Sequence, residues 1–327
     1  MSEILELLEL ISRLLHAEDV LLLCHKNPDG DTIGSAAALQ HALKNLGKNA
    51  AVLCADPIPA RYGYMQLEPY TGQFTPGYVV AVDIAGIQLF GDALQPYVER
   101  VDLCIDHHSS NAGYADAMYL DGGAAATAEI IYELLRAMNA EITPLIADCL
   151  YTGLSTDTGC FLYSNTTAHT HTVAAALMEA GARVEDLNAI LFESKTRERM
   201  AIEKVALDNL EYHFDGRCAL MYMTREEIAA SGVNMSDLED LTGLPRKIEG
   251  VQVGVTLRQL PGASYKISVR TVKGVDACAI AKRLGGGHAR AAGCELEGNL
   301  DNAKAAVLAE VEKELKKLEE AAEAAES

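Results

Sequence analysis

The sequence lacks several features that define whole classes of protein. None of its 8 cysteines forms a CxxC pair, and most lie in apolar runs, which predicts buried reduced thiols and no disulfide framework. It contains no run of about 18 uncharged apolar residues, so no membrane span is predicted. The first residues are acidic and amphipathic, whereas a signal peptide begins with positive charge. The expected compartment is the cytoplasm.

Positive charge is also scarce, with 27 Lys and Arg against 47 Asp and Glu and a net charge of -20. Such a chain repels long polyanions, so long duplex nucleic acid is not an expected partner. Nine of the basic residues lie in one stretch, 246–290, where only Glu249 and Asp276 oppose them. They are Arg246, Lys247, Arg258, Lys266, Arg270, Lys273, Lys282, Arg283 and Arg290. A cation site in the first half and anion binding in the second fit this division, but on charge alone we prefer an ordinary acidic surface with a chance pair of basic strands.

The length of 327 residues suits two domains, and the 49% of hydrophobic residues is enough for two cores. Short apolar runs alternate with helical patterns in the first half, which predicts an α/β domain with a largely parallel sheet and flanking helices. The predicted strands are 20–24, 50–54, 78–82 and 103–105. The predicted helices are 3–15, 33–46, 127–138 and 144–154.

The pattern changes in the second half of the chain. Residues 196–212 are charged and helical in period, and from about 217 onward strand patterns dominate, followed by helices near 276–284 and 301–320. We therefore predict a catalytic domain over 1–190, a helical linker over 191–212 and a smaller C-terminal α/β domain over 213–327.

Four polar clusters follow predicted strands or helices at the points where these end. They are HKNPDGD at 25–31, Asp83, Asp106-His107-His108, and Asp157 within STDTG. In open α/β sheets, ligands bind beyond the carboxyl ends of the strands. Carboxylates gathered there repel one another unless they share a cation, and a pair of divalent ions with Asp and His ligands resolves the repulsion.

Each cluster taken alone has a simpler explanation. Asn-Pro and Asp-Gly favour turns, an Asp after a strand can cap the next helix, and adjacent histidines are often surface residues. The order of all four clusters is far more specific. HKNPDGDTIGS at 25–35, VDIAG at 82–86, DHH at 106–108 and STDTG at 155–159 resemble the motifs of the DHH phosphoesterase family.

The resemblance, which extends from about residue 5 to 320, implies a role for each motif residue. His25, Asp29 and Asp83 would hold one divalent ion. The other ion would be held by Asp31, Asp83, His107 and Asp157, with Asp83 bridging. His108 would face the substrate phosphate or the leaving group, and Asp106 would orient an imidazole. The implied ions are Mn²⁺, with Mg²⁺ or Co²⁺ as alternatives.

The segment GGGHARAAG at 285–293 resembles the signature of a DHH-associated C-terminal domain. Backbone amides of a glycine run beside cationic side chains can hold a phosphate, which makes Gly286, Gly287, His288 and Arg290 candidate substrate contacts. Arg270 is a further candidate. A flexible loop and an exposed strand arginine are the simpler explanations of the same residues.

The order of the motifs and the length are most similar to the subgroup of nanoRNases that also act on 3′-phosphoadenosine-5′-phosphate (pAp). The resemblance implies hydrolysis of short single-stranded RNA to mononucleotides, dephosphorylation of pAp to AMP, and a homodimer. A linear or cyclic dinucleotide is an alternative substrate. A pyrophosphatase and a RecJ-like exonuclease are more distant alternatives, and a nucleotide-binding regulator without catalysis is the non-enzymatic one.

Overall fold

The computed structural model describes residues 2–234, 238, 240–286 and 292–326. The chain divides into two compact units, Met1–Ser194 and Lys195–Ser327. The predicted linker therefore lies mostly within the second unit. No helix in the described ranges has the length and apolar content needed to cross a bilayer.

The first unit contains a six-stranded sheet in which all pairs are parallel, in the order β1-β6-β5-β4-β2-β3. Its strands are β1 (Glu3–Ile4), β2 (Val20–Cys24), β3 (Ala50–Cys54), β4 (Tyr78–Val82), β5 (Leu103–Asp106) and β6 (Ala117–Leu120). Its helices are α1 (Leu7–His16), α2 (Gly30–Asn45), α3 (Gly91–Leu94), α4 (Thr127–Ala137), α5 (Pro144–Asp157), α6 (Ala168–Glu179) and α7 (Val184–Asn188). Shorter helical turns cover Ala60–Met65, Ile87–Leu89, Gln95–Arg100 and Ala189–Glu193.

The sheet of the first unit is buried on both faces, which explains its continuous apolar strands. Leu22 and Val80 belong to the larger core, which also contains residues of α1, α2, α4 and α5. Leu21 and Val79 point to the opposite face and pack against Phe90 in a second core. The period-2 alternation of strand side chains produces this division.

Helices α2 and α5 lie unusually close together, because glycines stand where they meet. A Cβ atom on Gly34 would lie 2.4 Å from the Cys149 carbonyl oxygen. A Cβ atom on Gly153 would lie 2.6 Å from the Ala128 Cβ and 2.8 Å from Oδ1 of Asp31. These contacts bring the start of α2 next to the last turns of α5.

The second unit contains a mixed five-stranded sheet in the order β11-β10-β9-β8-β7, with only β8 and β9 parallel. Helices pack on both faces, α10 and α11 on one and α8 on the other. The strands are β7 (Glu211–His213), β8 (Cys218–Met223), β9 (Val253–Leu260), β10 (Ser264–Thr271) and β11 (Gly293–Glu297). The helices are α8 (Arg197–Asp208), α9 (Arg225–Ser231), α10 (Ala277–Arg283) and α11 (Leu300–Glu326).

The predicted fold class is confirmed by these two units. Two local predictions were wrong or incomplete. The first helix does not begin at residue 3, because Glu3 and Ile4 pair with Ala117 and Met118 as an edge strand. The short strands β6, β7 and β11 were not predicted.

Candidate metal centre

The motif residues converge at the carboxyl edge of the first sheet. His25 directly follows β2, Asp83 follows β4, and Asp106 is the last residue of β5, with His107 after it. Asp157 is the last residue of α5. Parallel strands end at the same edge, so segments far apart in sequence deliver their polar side chains to one place.

Three side chains form what we call the outer group: His25, Asp29 and Asp83. The Nε2 atom of His25 lies 3.7 Å from Oδ1 of Asp29 and 3.8 Å from Oδ2 of Asp83. Asp29 also caps α2, because its Oδ1 accepts hydrogen bonds from the backbone N–H groups of Asp31 and Thr32, both at 3.1 Å. The side chain of Asp29 is 56% exposed, whereas those of His25 and Asp83 are 13% and 3% exposed, so the group faces solvent on its Asp29 side.

Three further side chains form the inner group: Asp31, His107 and Asp157. The Nε2 atom of His107 lies 4.0 Å from Oδ2 of Asp31 and 3.5 Å from Oδ2 of Asp157. Asp31 is 1% exposed, and its two oxygens accept hydrogen bonds from the backbone N–H groups of Thr127 and Ala128 at 2.7 and 2.8 Å. The hydroxyl of Ser35 donates a further bond to Asp31 at 3.1 Å.

The ring of His107 is oriented with one nitrogen toward the backbone and the other toward the carboxylates. Its Nδ1 atom lies 3.2 Å from the carbonyl oxygen of Ala124, which requires Nδ1 to carry the hydrogen. Its Nε2 atom is buried and has no hydrogen-bond partner. A buried lone pair facing carboxylates is the arrangement expected of an imidazole that ligates a metal ion.

Asp83 lies between the two groups and has an unusual backbone conformation. Its φ angle is 60°, in the left-handed region that Asp tolerates better than most residues, and its N–H donates to the carbonyl of Ile105 at 2.9 Å. Oδ2 faces His25, while Oδ1 lies 3.7 Å from Nε2 of His107. The hydroxyl of Thr127 donates to the same Oδ1 at 2.8 Å.

His108 is held at the rim of the inner group. Its Nδ1 atom lies 2.8 Å from Oδ1 of Asp106 and 3.4 Å from Oδ1 of Asp83. Asp106 is fully buried, and its Oδ2 accepts a hydrogen bond from the Nδ2 atom of Asn111 at 2.7 Å. Asp106 therefore orients His108, and Asn111 orients Asp106.

The carboxylates of this site are difficult to ionise together. Burial raises the pKa of Asp31 well above its usual range, and the charges of Asp83 and Asp157 raise it further. Burial also raises the pKa of Asp157 to about 6, with the charge of Asp83 adding to the effect of burial. A bound cation would remove this repulsion.

The imidazoles have the opposite tendency and attract protons into the site. Burial opposes the charge of His108, but its hydrogen bonds to Asp106 and Asp83 prevail and raise its pKa to about 10. For His25 the bond to Asp29 likewise outweighs burial and raises the pKa to about 9. In the metal-free chain, the raised pKa values of His25 and His108 thus favour positive charge beside the carboxylates.

The donor set fits divalent metal ions. Three sets of side chains could each hold an ion: the outer group, the inner group, and Asp83 with His107 and His108. In each set, every residue offers one ligand atom, and these atoms lie within 4.8 Å of one another. Carboxylate oxygens combined with imidazole nitrogens suit borderline divalent ions, and a shared carboxylate suits a pair of them.

The structure brings together the six predicted metal ligands and the two further predicted residues, His108 and Asp106. Seven of these eight belong to the three sets, and Asp106 joins them by its contact with His108. In the second unit, Arg270 is exposed on β10. Gly286 is tightly packed, since a Cβ atom there would lie 2.5 Å from the carbonyl oxygen of Gly293. Gly287, His288 and Arg290 lie outside the described residues.

Among the residues that contact this site, Asn111 and Thr127 were missed by sequence reasoning. Asn111 follows the DHH motif by three residues, where a polar residue in a loop has many explanations. Thr127 begins α4 after a run of small residues, which resembles an ordinary helix start. For Asn111, the sequence offered only its proximity to the DHH motif as a sign of a role in the site. For Thr127, it offered only the position at the start of a predicted helix.

Comparison with protein families agrees with the motifs. The N-terminal domain of the DHH family matches residues 19–154, and the DHHA1 domain matches residues 217–317. A bifunctional oligoribonuclease and PAP phosphatase NrnA of Thermus thermophilus is 33% identical over 320 residues, 95% of each chain. The protein of the same name from Bacillus subtilis is 25% identical over 294 residues, 88% of this chain and 92% of its own.

Solved structures show the same fold. An exopolyphosphatase-related protein from Bacteroides fragilis superposes with a TM-score of 0.86 at 23% identity, over 96% of this chain and 97% of that one. RecJ of Thermus thermophilus, in complex with Mn²⁺, has a TM-score of 0.53 at 15% identity, over 94% of this chain and 54% of that one.

Proposed function

The chain belongs to the DHH family of phosphoesterases, and we propose that it hydrolyses short oligoribonucleotides to mononucleotides and dephosphorylates pAp to AMP. The observation that carries the proposal is the Asp83 carboxylate, whose two oxygens face different ligand groups. That arrangement fits a two-ion phosphoesterase site. The names of the relatives similar along nearly their whole length support this substrate class.

We propose that His25, Asp29 and Asp83 hold one ion, and that Asp31, Asp83, His107 and Asp157 hold the other. Divalent ions bound there lower the pKa of a water and neutralise charge that develops on phosphoryl oxygens. Mn²⁺ is the proposed ion because it accepts mixed oxygen and nitrogen donors, whereas Mg²⁺ prefers oxygen alone. Mg²⁺ and Co²⁺ are the alternatives to test beside it.

His108 is the proposed proton donor to the leaving oxygen. In the metal-free chain, its hydrogen bonds to Asp106 and Asp83 raise its pKa to about 10, and the cations proposed beside Asp83 would lower it toward neutrality. A general acid must hold its proton near the reacting oxygen and be oriented toward it. The Asp106 carboxylate supplies the orientation through a 2.8 Å contact to Nδ1, which leaves Nε2 to face the substrate.

The second unit is the proposed site of substrate binding. Arg270 is exposed on β10. Gly286 is the last residue of the glycine run that the structure describes. We propose that Arg270, Gly286, Gly287, His288 and Arg290 contact a terminal phosphate. A homodimer and a cytoplasmic location are further proposals, and both come from the resemblance to the nanoRNase subgroup.

The test is hydrolysis by the full chain with Mn²⁺ of labelled RNAs of two to five nucleotides, with pAp and a cyclic dinucleotide in parallel. Release of mononucleotides together with pAp dephosphorylation supports the proposal. Cleavage of the cyclic dinucleotide alone would keep the metal centre and change the substrate. Inactivity on all three would favour a nucleotide-binding regulator.

The matched variants are Asp83→Asn and Asp92→Asn, of which the second alters an exposed carboxylate elsewhere in the first unit. We expect Asp83→Asn to abolish Mn²⁺-dependent turnover, because it removes the ligand that both groups share, while Asp92→Asn keeps the wild-type rate. Circular dichroism checks that both variants are folded. Full turnover by a folded Asp83→Asn protein would contradict the ligand assignment.

A further inference from the structure

Thr127 contacts the metal centre through both its backbone and its side chain. It is the first residue of α4 and is fully buried. Its backbone N–H donates to Oδ2 of Asp31 at 2.7 Å, and its hydroxyl donates to Oδ1 of Asp83 at 2.8 Å. Thr127 therefore holds two carboxylates: Asp31 of the inner group, and Asp83, which faces both groups.

The hydroxyl contact constrains a torsion that is otherwise poorly determined. Rotation of a carboxylate about the bond to its Cβ is broad and roughly two-fold, so packing alone defines it weakly. In the structure, Oδ1 of Asp83 lies 3.4 Å from Nδ1 of His108, and Oδ2 lies 3.8 Å from Nε2 of His25. A donor fixed to the buried start of a helix selects the rotation in which the two oxygens diverge toward the two groups.

We propose that Thr127 is a positioning residue that sets the orientation of the Asp83 carboxylate and thereby the affinity of the metal centre. The inference rests on the proposed function, because it assumes that Asp83 binds ions on both sides. Thr127 acts here through Asp83, because its hydroxyl hydrogen is donated to the Asp83 carboxylate. Loss of an outer hydrogen bond to a ligating residue typically weakens metal binding by about 10- to 100-fold.

The variants that isolate the hydroxyl are Thr127→Val and Thr127→Ser. Valine keeps the shape and removes the donor, whereas serine keeps the donor and removes the methyl group. The matched control is Thr170→Val, because Thr170 is also fully buried in the first unit and its hydroxyl donates to Oε2 of Glu129 at 3.0 Å. Neither Thr170 nor Glu129 belongs to the metal centre.

The experiment measures Mn²⁺ binding by titration calorimetry and turnover over a range of Mn²⁺ concentrations. We expect Thr127→Val to lose about 10- to 100-fold in Mn²⁺ affinity, and Thr127→Ser and Thr170→Val to stay within about threefold of the wild type. We also expect excess Mn²⁺ to restore most of the turnover of Thr127→Val with its KM for substrate unchanged. If Thr127 only stabilised the fold, excess Mn²⁺ would not restore the turnover of Thr127→Val.

The two proposals can fail separately. A folded Thr127→Val protein that binds Mn²⁺ as tightly as the wild type overturns the inference and leaves the proposed function standing. A wild-type protein that binds none of Mn²⁺, Mg²⁺ and Co²⁺ overturns the proposed function and the inference with it. If Thr127→Val does not fold, Thr127→Ala replaces it under the same comparison with Thr127→Ser.

Discussion

Asp83 of the outer group also faces His107 of the inner group, yet the two groups are constructed differently. Asp31 of the inner group is 1% exposed and accepts three hydrogen bonds, two of them from backbone amides. Asp29 of the outer group is largely exposed and stands at the end of a polar turn. Asp31 is thus enclosed by the start of α4 and by closely packed helices, while Asp29 caps α2 from an exposed position.

This difference indicates how the two ions would be held. Carboxylates and imidazoles that are already fixed lose little freedom on binding, so the inner group is expected to bind its ion more tightly. The exposed Asp29 side of the outer group leaves room for substrate oxygens to approach an ion. We therefore expect the inner group to hold its ion permanently and the outer group to hold the ion that substrate contacts. Variants in each group can test this difference.

The largest difference is expected between Asp31→Ala and Asp29→Ala. Asp31→Ala removes an inner ligand and leaves the buried N–H groups of Thr127 and Ala128 without acceptors, which costs about 1–3 kcal/mol for each group. We expect turnover to fall about 1000-fold or more, equivalent to ~4 kcal/mol, and the free energy of unfolding to decrease. Asp29→Ala should lose a helix cap worth about 1 kcal/mol and keep turnover that high Mn²⁺ increases.

Turnover at increasing Mn²⁺ and urea unfolding in the presence of a chelator measure the two effects separately. The comparison of the groups would be wrong if excess Mn²⁺ rescued Asp31→Ala as well as Asp29→Ala. It would also be wrong if the two variants unfolded at the same urea concentration.

A smaller effect is expected from Gly153→Ala, which acts on the inner group through packing alone. The new methyl group would lie 2.8 Å from Oδ1 of Asp31 and 2.6 Å from the Ala128 Cβ, so one of these elements must move. We expect a loss of roughly 1–3 kcal/mol in the free energy of unfolding and weaker Mn²⁺ binding at the inner group. Gly63→Ala is the control, because nothing lies within 4 Å of a Cβ atom there.

Thermal unfolding and calorimetric titration of both variants with Mn²⁺ provide the measurement. Equal Mn²⁺ affinity for Gly153→Ala and Gly63→Ala would show that helix packing does not control the inner group. Weakening confined to the outer group would show that the roles of the two groups are reversed.

Much of the site could be predicted because strand ends determine it. Apolar runs identify β2, β4 and β5, parallel pairing places their carboxyl ends together, and the polar residues that follow must then converge. That reasoning places His25, Asp83 and His107 at one edge without coordinates. The assignment of each ligand to an ion came from family resemblance, and it stays a prediction.

Thr127 could not be predicted as a support of the site, because its partners are distant in sequence. Thr127 bonds to Asp83 across 44 positions, and no periodic pattern encodes that contact. The same reason explains the missed edge strand, since Glu3 and Ile4 are extended only because they pair with Ala117 and Met118. Local sequence identified the ligand candidates, and long-range packing determined how they are held.

The smallest effect is expected from Asn111→Ala, which tests whether the comparison extends beyond the ligand groups. Asn111 donates to Oδ2 of Asp106, which in turn holds His108, and neither Asn111 nor Asp106 belongs to the inner or outer group. We expect kcat to fall about tenfold, within the range attributed to a positioned acid, while Mn²⁺ affinity and KM stay unchanged. Asn49→Ala is the control, because Asn49 also donates to a carboxylate, that of Asp19, on an exposed surface. Because a misoriented acid affects only proton transfer, a change in Mn²⁺ affinity would instead place Asp106 and Asn111 among the supports of the inner group.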